Sequence, residues 1–208
     1  MFTGIIEELG VVNSINRSSK GVRLTLASRL CSSDVKLGDS LAVNGCCLTI
    51  VRITGKARTR LLEFDILDET WQRTNLQYCV AGACVNLERP LAASGRFHGH
   101  IVSGHIDGTG EIKTFKLVGA DWKLEIEVAP AALPYLIHKG SIAVDGISLT
   151  IAALGRKSFT AWIIPHTREI TALQARNPGD AVNLEFDLVG KYVERLLKTG
   201  HIPHPAGS

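Results

Sequence analysis

The sequence lacks most of the features that would commit it to a class at first sight. There is no run of five basic residues and no basic stripe interleaved with aromatics; the net charge of +3 is scattered. Nucleic-acid binding is therefore not indicated. No window approaches 18 uninterrupted apolar residues, so nothing is expected to span a bilayer. Glu7 and Glu8 stand where a secretory leader would need a basic residue followed by a longer apolar stretch. The cysteines (Cys31, Cys46, Cys47, Cys79, Cys84) are odd in number and irregular in spacing, which argues against a disulfide framework and for a reduced, cytoplasmic protein. No CxxC or HxxxH pair suggests a metal centre, and no GxGxxG follows a strand. The densest histidine cluster, His98, His100 and His105, suits proton transfer near pH 7 better than metal binding.

What the sequence does contain is a repeat. Ser40-Leu-Ala-Val-Asn44-Gly-Cys-Cys47-Leu-Thr49-Ile50 returns as Ser141-Ile-Ala-Val-Asp145-Gly-Ile-Ser148-Leu-Thr150-Ile151, with seven of eleven positions identical. Thr3-Gly4-Ile5-Ile6-Glu7 is echoed by Ser103-Gly104-His105-Ile106-Asp107. Ile66, Thr70, Thr74 and Leu76 recur as Ile163, Thr167, Thr171 and Leu173, and Val85-Asn86-Leu87-Glu88 recurs as Val182-Asn183-Leu184-Glu185. A period near 100 is too long for a solenoid and fits a duplicated domain. A small-residue stretch at Ala93-Ser94-Gly95 reads as the linker.

Within each half the apolar period is two. Lys123-Leu124-Glu125-Ile126-Glu127-Val128 alternates strictly, as do Val22, Leu24 and Leu26 between polar neighbours. Such alternation marks strands with one buried face. Turn signals at Asn44-Gly45, Asp107-Gly108, Asp145-Gly146 and Pro178-Gly179-Asp180 interrupt the runs, so each half reads as a small closed barrel or a sandwich. Short helical pieces are expected at 129–136, 70–77 and 167–174. Near the C-terminus Leu188, Tyr192, Val193, Leu196 and Leu197 follow helical spacing. That helix can pack on its own barrel or against another chain.

Cys46 aligns with Ile147 and Cys47 with Ser148, so Cys46 is expected in the core and Cys47 facing a site. Ser148, Thr150, Thr49, Thr70, Thr167 and Lys139 supply hydrogen-bonding groups at strand ends. The tripeptides Cys47-Leu48-Thr49 and Ser148-Leu149-Thr150 offer a strand edge for a flat heterocycle with carbonyls and ring nitrogens.

At these residues the resemblance becomes specific. Met1-Phe-Thr-Gly-Ile-Ile6, Asn44-Gly-Cys-Cys-Leu-Thr49, Gly99-His-Ile-Val-Ser-Gly-His105-Ile-Asp107 and Lys139-Gly followed by Asp145-Gly-Ile-Ser-Leu-Thr150 resemble the signatures of the riboflavin synthase family, α-chain type. The resemblance covers nearly the whole chain. It implies an all-β fold of two tandem six-stranded Greek-key closed barrels, 1–97 and 98–187, with an oligomerisation helix at 188–200 that joins three chains and a tail at 201–208. It implies a dismutation of two molecules of 6,7-dimethyl-8-ribityllumazine by four-carbon transfer, giving riboflavin and 5-amino-6-ribitylamino-uracil, with no metal or redox cofactor. The productive pair of pockets implied is one barrel facing the other barrel of a neighbouring chain. By similarity Cys47, Ser40 and His100 are the catalytic polar groups, with Phe2 and the first strand (Gly4, Ile5, Ile6) bordering the rings. Leu48, Thr49, Asp65, Ile66, Leu67, Asp68, Glu69 and Thr70 are further substrate-binding residues by the same similarity. His105, Ser148, Thr150, Ile164 and Thr167 line the second pocket, with Lys139 near its ligand, and Gly104, Ile106, Leu149, Ile163, Pro165 and His166 are also substrate-binding. Arg96-Phe97-His98 stands where small residues are expected, and His166 where some members carry an acid. Two other readings compete: a non-catalytic lumazine antenna protein on the same fold, and a ferredoxin-reductase flavin domain. The latter would need an Arg-x-Tyr-Ser/Thr segment, which none of Tyr78, Tyr135 or Tyr192 supplies.

Overall fold

The computed structural model describes residues 1–18, 21–55 and 59–199; the expected tail at 201–208 and the last residue of the expected helix lie outside them. The first half holds strands β1 (Glu8–Ser18), β2 (Gly21–Ser28), β3 (Ser40–Val43), β4 (Cys46–Thr54), β5 (Arg60–Ile66) and β6 (Cys84–Glu88), with helix α1 (Asp68–Arg73) between the last two. They pair antiparallel into a closed barrel in the order β1-β2-β5-β4-β3-β6, a Greek-key order.

The second half repeats this with β7 (Gly108–Val118), β8 (Asp121–Glu127), β9 (Ser141–Val144), β10 (Ile147–Thr150), β11 (Ala153–Leu154), β12 (Ser158–Ile163), helix α2 (Pro165–Ile170) and β13 (Ala181–Phe186). The order β10-β9-β13-β7-β8-β12-β11 repeats that of the equivalent strands, but it ends at β10 and β11, so the second half is an open seven-stranded sheet and not the closed six-stranded barrel expected. The fourth strand is in two pieces. β4 carries a register shift between Ile50 and Arg52, and the equivalent point is where β10 ends and β11 begins. Across the break the Ala152 N–H donates to the Thr160 carbonyl at 2.7 Å.

Side-chain alternation decides which faces are buried. Leu24, Leu26, Leu41, Ile50, Leu62, Phe64 and Leu87 fill the first core; Ile112, Leu124, Ile126, Ile142, Phe159, Val182 and Leu184 fill the second. The short helices begin two residues before the expected spans at 70 and 167, because Thr70 and Thr167 lie inside the first turn. Each presents its carbonyl to a threonine hydroxyl four residues on, at 2.8 and 2.7 Å. The C-terminal helix α3 (Leu188–Thr199) has no buried residue, and Val189, Tyr192, Val193, Leu196 and Leu197 stay exposed. It is held by the Lys191–Asp107 ion pair at 2.6 Å and by a hydrogen bond from Tyr135 to Glu194. Among the described residues no helix is long and apolar enough to cross a membrane.

The halves meet around a pseudo-twofold axis of buried amides. Asn44 and Asp145 open the two hairpin turns with positive φ (45° and 47°), as Asn-Gly and Asp-Gly turns between strands require. Their following glycines lie back to back, leaving no room for a side chain on either. The Asn86 side chain accepts from Ala172 N (2.7 Å) and donates to the Asp145 carbonyl (2.9 Å); Asn183 accepts from Asn75 N (2.6 Å) and donates to the Asn44 carbonyl (2.9 Å). Buried amides satisfied in this way fix one docking geometry, because any slip leaves polar groups dry and unpaired.

The symmetry of this lock is incomplete, and Ala172 stands where the first half has Asn75. Asp145 stands where the first half has Asn44, and Arg176 where it has Cys79. The Asp145 carboxylate accepts from Arg176 Nη2 (2.8 Å), Asn75 Nδ2 (2.7 Å) and Asn183 N (2.8 Å). Asp145→Asn strands a mostly buried guanidinium and is expected to cost about 3 kcal/mol in urea unfolding. Adding Arg176→Cys recreates the Asn–Cys arrangement of the first half and should recover most of that loss. A double variant no more stable than Asp145→Asn would contradict the assignment.

Candidate active site

Each barrel has one place where its wall opens. β4 pairs with β3 along Cys46–Thr49, but its ladder to β5 begins only at Ile50. β10 pairs with β9 and carries no ladder to β12. Cys47-Leu48-Thr49 and Ser148-Leu149-Thr150 therefore each present a strand edge to a gap. The loop into α1 or α2 closes the far side of that gap.

Alternation along the strands sorts the expected site residues. Cys46 is buried and Cys47 half-buried on the outer face, as the alignment with Ile147 and Ser148 suggested. Burial pushes the Cys46 thiol up to about 12. Ser40 pairs with Thr49 and Ala42 with Cys47, so Ser40, Cys47 and Thr49 share the outer face, as Ser141, Ser148 and Thr150 do in the second half. Leu48, Ile66, Leu149 and Ile163 point into the cores and can offer only backbone to a ligand. Leu67, Asp68, Glu69, Ile164, Pro165 and His166 are exposed, and Thr70 and Thr167 half-buried, on the loops facing the edges. Asp65 is held by Arg23 at 2.8 Å, and that hydrogen bond lowers its carboxyl pKa. Lys139 is exposed in a left-handed turn, its N–H donating to the Ile151 carbonyl at 2.8 Å beyond the end of β10.

Two arms complete the edges, and they cross. Residues 2–6 of the first half run over the second: Ser148 N donates to the Gly4 carbonyl at 2.8 Å, and Ile6 packs on the second core. The run 102–106 crosses to the first half: Cys47 N donates to the Gly104 carbonyl at 2.8 Å, and Ile106 packs on the first core. Phe2 and Val102 pair backbone to backbone where the arms pass. Gly4 and Gly104 have φ of 78° and 84°, and a Cβ there would lie 2.7 Å from that of Ser148 and 2.5 Å from that of Cys47. Only glycine fits.

This crossing corrects three expectations. The first arm, with exposed Ile5 and half-buried Ile6, borders the second half's edge rather than the one at Cys47. His105, exposed between Gly104 and Ile106, travels with the arm that borders the first half. Phe2 is fully buried between the halves against Val102, Ala42, Ala143 and Cys47, so its ring is a wedge and not a wall. The cause is shared: a repeat reveals that two arms are equivalent, not which barrel each one lies on.

His100 belongs to the second edge. Its Nδ1 lies 2.7 Å from Ser148 Oγ, its N–H donates to the Thr3 carbonyl at 3.1 Å, and its ring is 8% exposed with Nε2 unpartnered among the described residues. Burial lowers its pKa below the ordinary 6.5, opposed by the charges of Asp187 and Glu185. The ring is a neutral base at pH 7, hydrogen-bonded to a hydroxyl, as a proton shuttle needs. Asp187, which the sequence reading passed over, faces a groove of about 540 Å³ beside α3 that also reaches Ser141. A separate cavity of about 810 Å³, lined by Glu111, Glu127, Lys157 and Arg176, contains none of the expected residues.

With this geometry in place the likenesses are informative. Two stretches, 3–90 and 103–187, match the lumazine binding domain. The riboflavin synthase of Actinobacillus pleuropneumoniae is 45% identical over 197 residues, 95% of this chain and 90% of the relative. Those of Bacillus subtilis (43%; 95% and 90%) and Mycobacterium bovis (43%; 96% and 99%) are similar throughout. The chain belongs to the riboflavin synthase family. Among solved structures, LumP complexed with riboflavin superposes with a TM-score of 0.81 at 25% identity, covering 89% of this chain and 99% of that one. LumP complexed with 6,7-dimethyl-8-(1'-D-ribityl) lumazine gives a TM-score of 0.78 at 24% identity, covering the same shares. These likenesses to LumP show the shared fold.

NMR titration should find His100 binding its proton below pH 6.5, and Asp187→Asn should lower its pKa further by removing a facing negative charge. The unfolded ring takes up its proton near 6.5, so the contribution to stability is intact above that pH and lost as pH falls through the folded value. Titration at or above 6.5 would contradict the buried, unpartnered ring.

Proposed function

We propose that this protein makes riboflavin by dismutation: one 6,7-dimethyl-8-ribityllumazine gives a four-carbon unit to a second, leaving 5-amino-6-ribitylamino-uracil. The carrying observation is the pair of matched strand edges, each completed by the arm of the opposite half. A reaction between two identical molecules calls for two related pockets, and synthase relatives at 39–45% identity share nearly the whole chain.

Residues 1–97 and 98–187 act as the two lumazine-binding units. In the first, Cys47, Ser40 and Thr49 present polar groups from the outer face, with the loop Asp65–Thr70 and the arm Gly104–Ile106 around the ring. In the second, His100 and Ser148 form the proton-handling pair beside Thr150, Lys139 and the loop Ile163–Thr167, with Gly4–Ile6 as the flanking arm. The C7 methyl of the lumazine is acidic because the ring delocalises the anion, so a neutral imidazole is a competent base. Holding two rings face to face supplies about 7–11 kcal/mol of the acceleration. The facing pair comes from the first unit of one copy and the second unit of another, within a cytoplasmic homotrimer joined through α3. Supporting this is the exposed apolar stripe Val189, Tyr192, Val193, Leu196 and Leu197, a surface of the kind that marks an interface. The partners are the two substrate molecules and further copies of the chain, with neither nucleic acid nor membrane involved.

Incubation with 6,7-dimethyl-8-ribityllumazine should release one riboflavin for every two substrate molecules consumed, followed by absorbance. Bound, fluorescent lumazine with no turnover would instead make the protein a binder of the LumP kind. Cys47→Ser should lower kcat more than Ser148→Ala, which loses one neutral hydrogen bond to His100 and about five-fold in rate. Both variants should still bind the lumazine. Full activity in Cys47→Ser would remove the thiol from the mechanism.

A further inference from the structure

Two buried carboxylates at corresponding strand ends take no direct part in this chemistry, yet each governs a short chain of contacts. Glu88, at the end of β6, accepts from Thr3 N (2.7 Å), Thr3 Oγ1 (2.9 Å) and Gly4 N (3.0 Å). Glu185, at the end of β13, accepts from Ser103 N (2.7 Å), Ser103 Oγ (2.6 Å) and Gly104 N (2.9 Å). Both are almost fully buried. A carboxylate receiving three donors in a dry site makes strong, charge-assisted bonds.

The next contact in each chain lies in the other half. Glu185 grips Gly104, whose carbonyl receives Cys47 N of the first half, while Glu88 grips Gly4, whose carbonyl receives Ser148 N of the second. We infer that Glu185 is the positioning residue for the Cys47 edge and Glu88 for the Ser148–His100 edge, so that each pocket is set by the carboxylate of the opposite half. This rests on the reading that the two edges are the lumazine pockets. Its physical basis does not: a carboxylate presents only acceptors. A glutamine in its place must turn an NH₂ toward one of the three donors, and the arm loses that bond. If the bond faced Gly104 N or Gly4 N, the carbonyl on the same residue would lose its seat over the neighbouring strand.

Thiol alkylation measures this directly, without substrate. In a Cys79→Ser, Cys84→Ser background, which removes the other half-buried thiol and the exposed one, iodoacetamide reports on Cys47. A Cys47→Ser, Ser148→Cys version reports on the equivalent position of the second half. Glu185→Gln should speed alkylation at position 47 by roughly five-fold, as expected for an arm held by one net hydrogen bond fewer, and leave position 148 unchanged. Glu88→Gln should do the reverse. Ser103→Ala and Thr3→Val remove a single hydroxyl bond while keeping each carboxylate charge, and should give the same crossed pattern at smaller size. They stand in for a Glu→Gln variant that fails to fold and separate loosening of the arm from a change in local charge. A parallel pattern, with each carboxylate affecting its own half, would overturn the inference, as would rates that rise together or do not move. An uncrossed pattern in an active protein overturns only this inference; a crossed pattern in a protein without turnover overturns only the proposed activity.

Discussion

The structure depends on the exchange of arms between its halves. Two antiparallel barrels of this size could each fold and sit apart, but here each lacks a segment that the other supplies. The N-terminal arm lies on Ser148 and the linker arm on Cys47, and the amides of Asn44, Asn86, Asn183 and Asn75 with the carboxylate of Asp145 lock the face between them. The arms and the amide lock enforce one another. Sliding one half would break ladder-like bonds at both arms and leave buried amides without partners, a cost of about 1–3 kcal/mol for each group.

That constraint bears on chemistry. A bimolecular reaction between two copies of one molecule gains most from fixed relative placement, and less from any single strong acid or base. The two edges accordingly offer few reactive groups: one buried imidazole with a hydroxyl on one nitrogen, one half-buried thiol, and short polar side chains along the strands. The halves are also not identical. The first edge carries Cys47 and the second carries Ser148 with His100. Inequivalent pockets suit a reaction in which one substrate gives carbon and the other receives it.

Much of this was legible in the sequence, and the legible part follows the repeat. Period-two alternation gave strands, turn pairs such as Asn44-Gly45 gave hairpins, and matching Cys46-Cys47 with Ile147-Ser148 told inward from outward. What could not be read were contacts between residues far apart in the chain. The block Val85-Asn86-Leu87-Glu88 was visible as a repeat without a role, because Asn86 and Glu88 act on Ala172, Asp145 and Thr3 at separations of 59 residues or more. The crossing of the arms was hidden for a related reason: equivalence between halves is the same whether an arm lies on its own barrel or on its neighbour's. The break between β10 and β11 had no sequence signal that we can name.

The central claim is that both halves of one chain take up the heterocycle, each at the strand edge completed by the other's arm. A crystal structure of the protein soaked with a non-reacting lumazine analogue tests it most directly. The account predicts two analogue molecules per chain, one against Cys47–Thr49 and Gly104–Ile106 and one against Ser148–Thr150 and Gly4–Ile6. A single analogue per chain at saturation, or rings bound away from both edges, would contradict it.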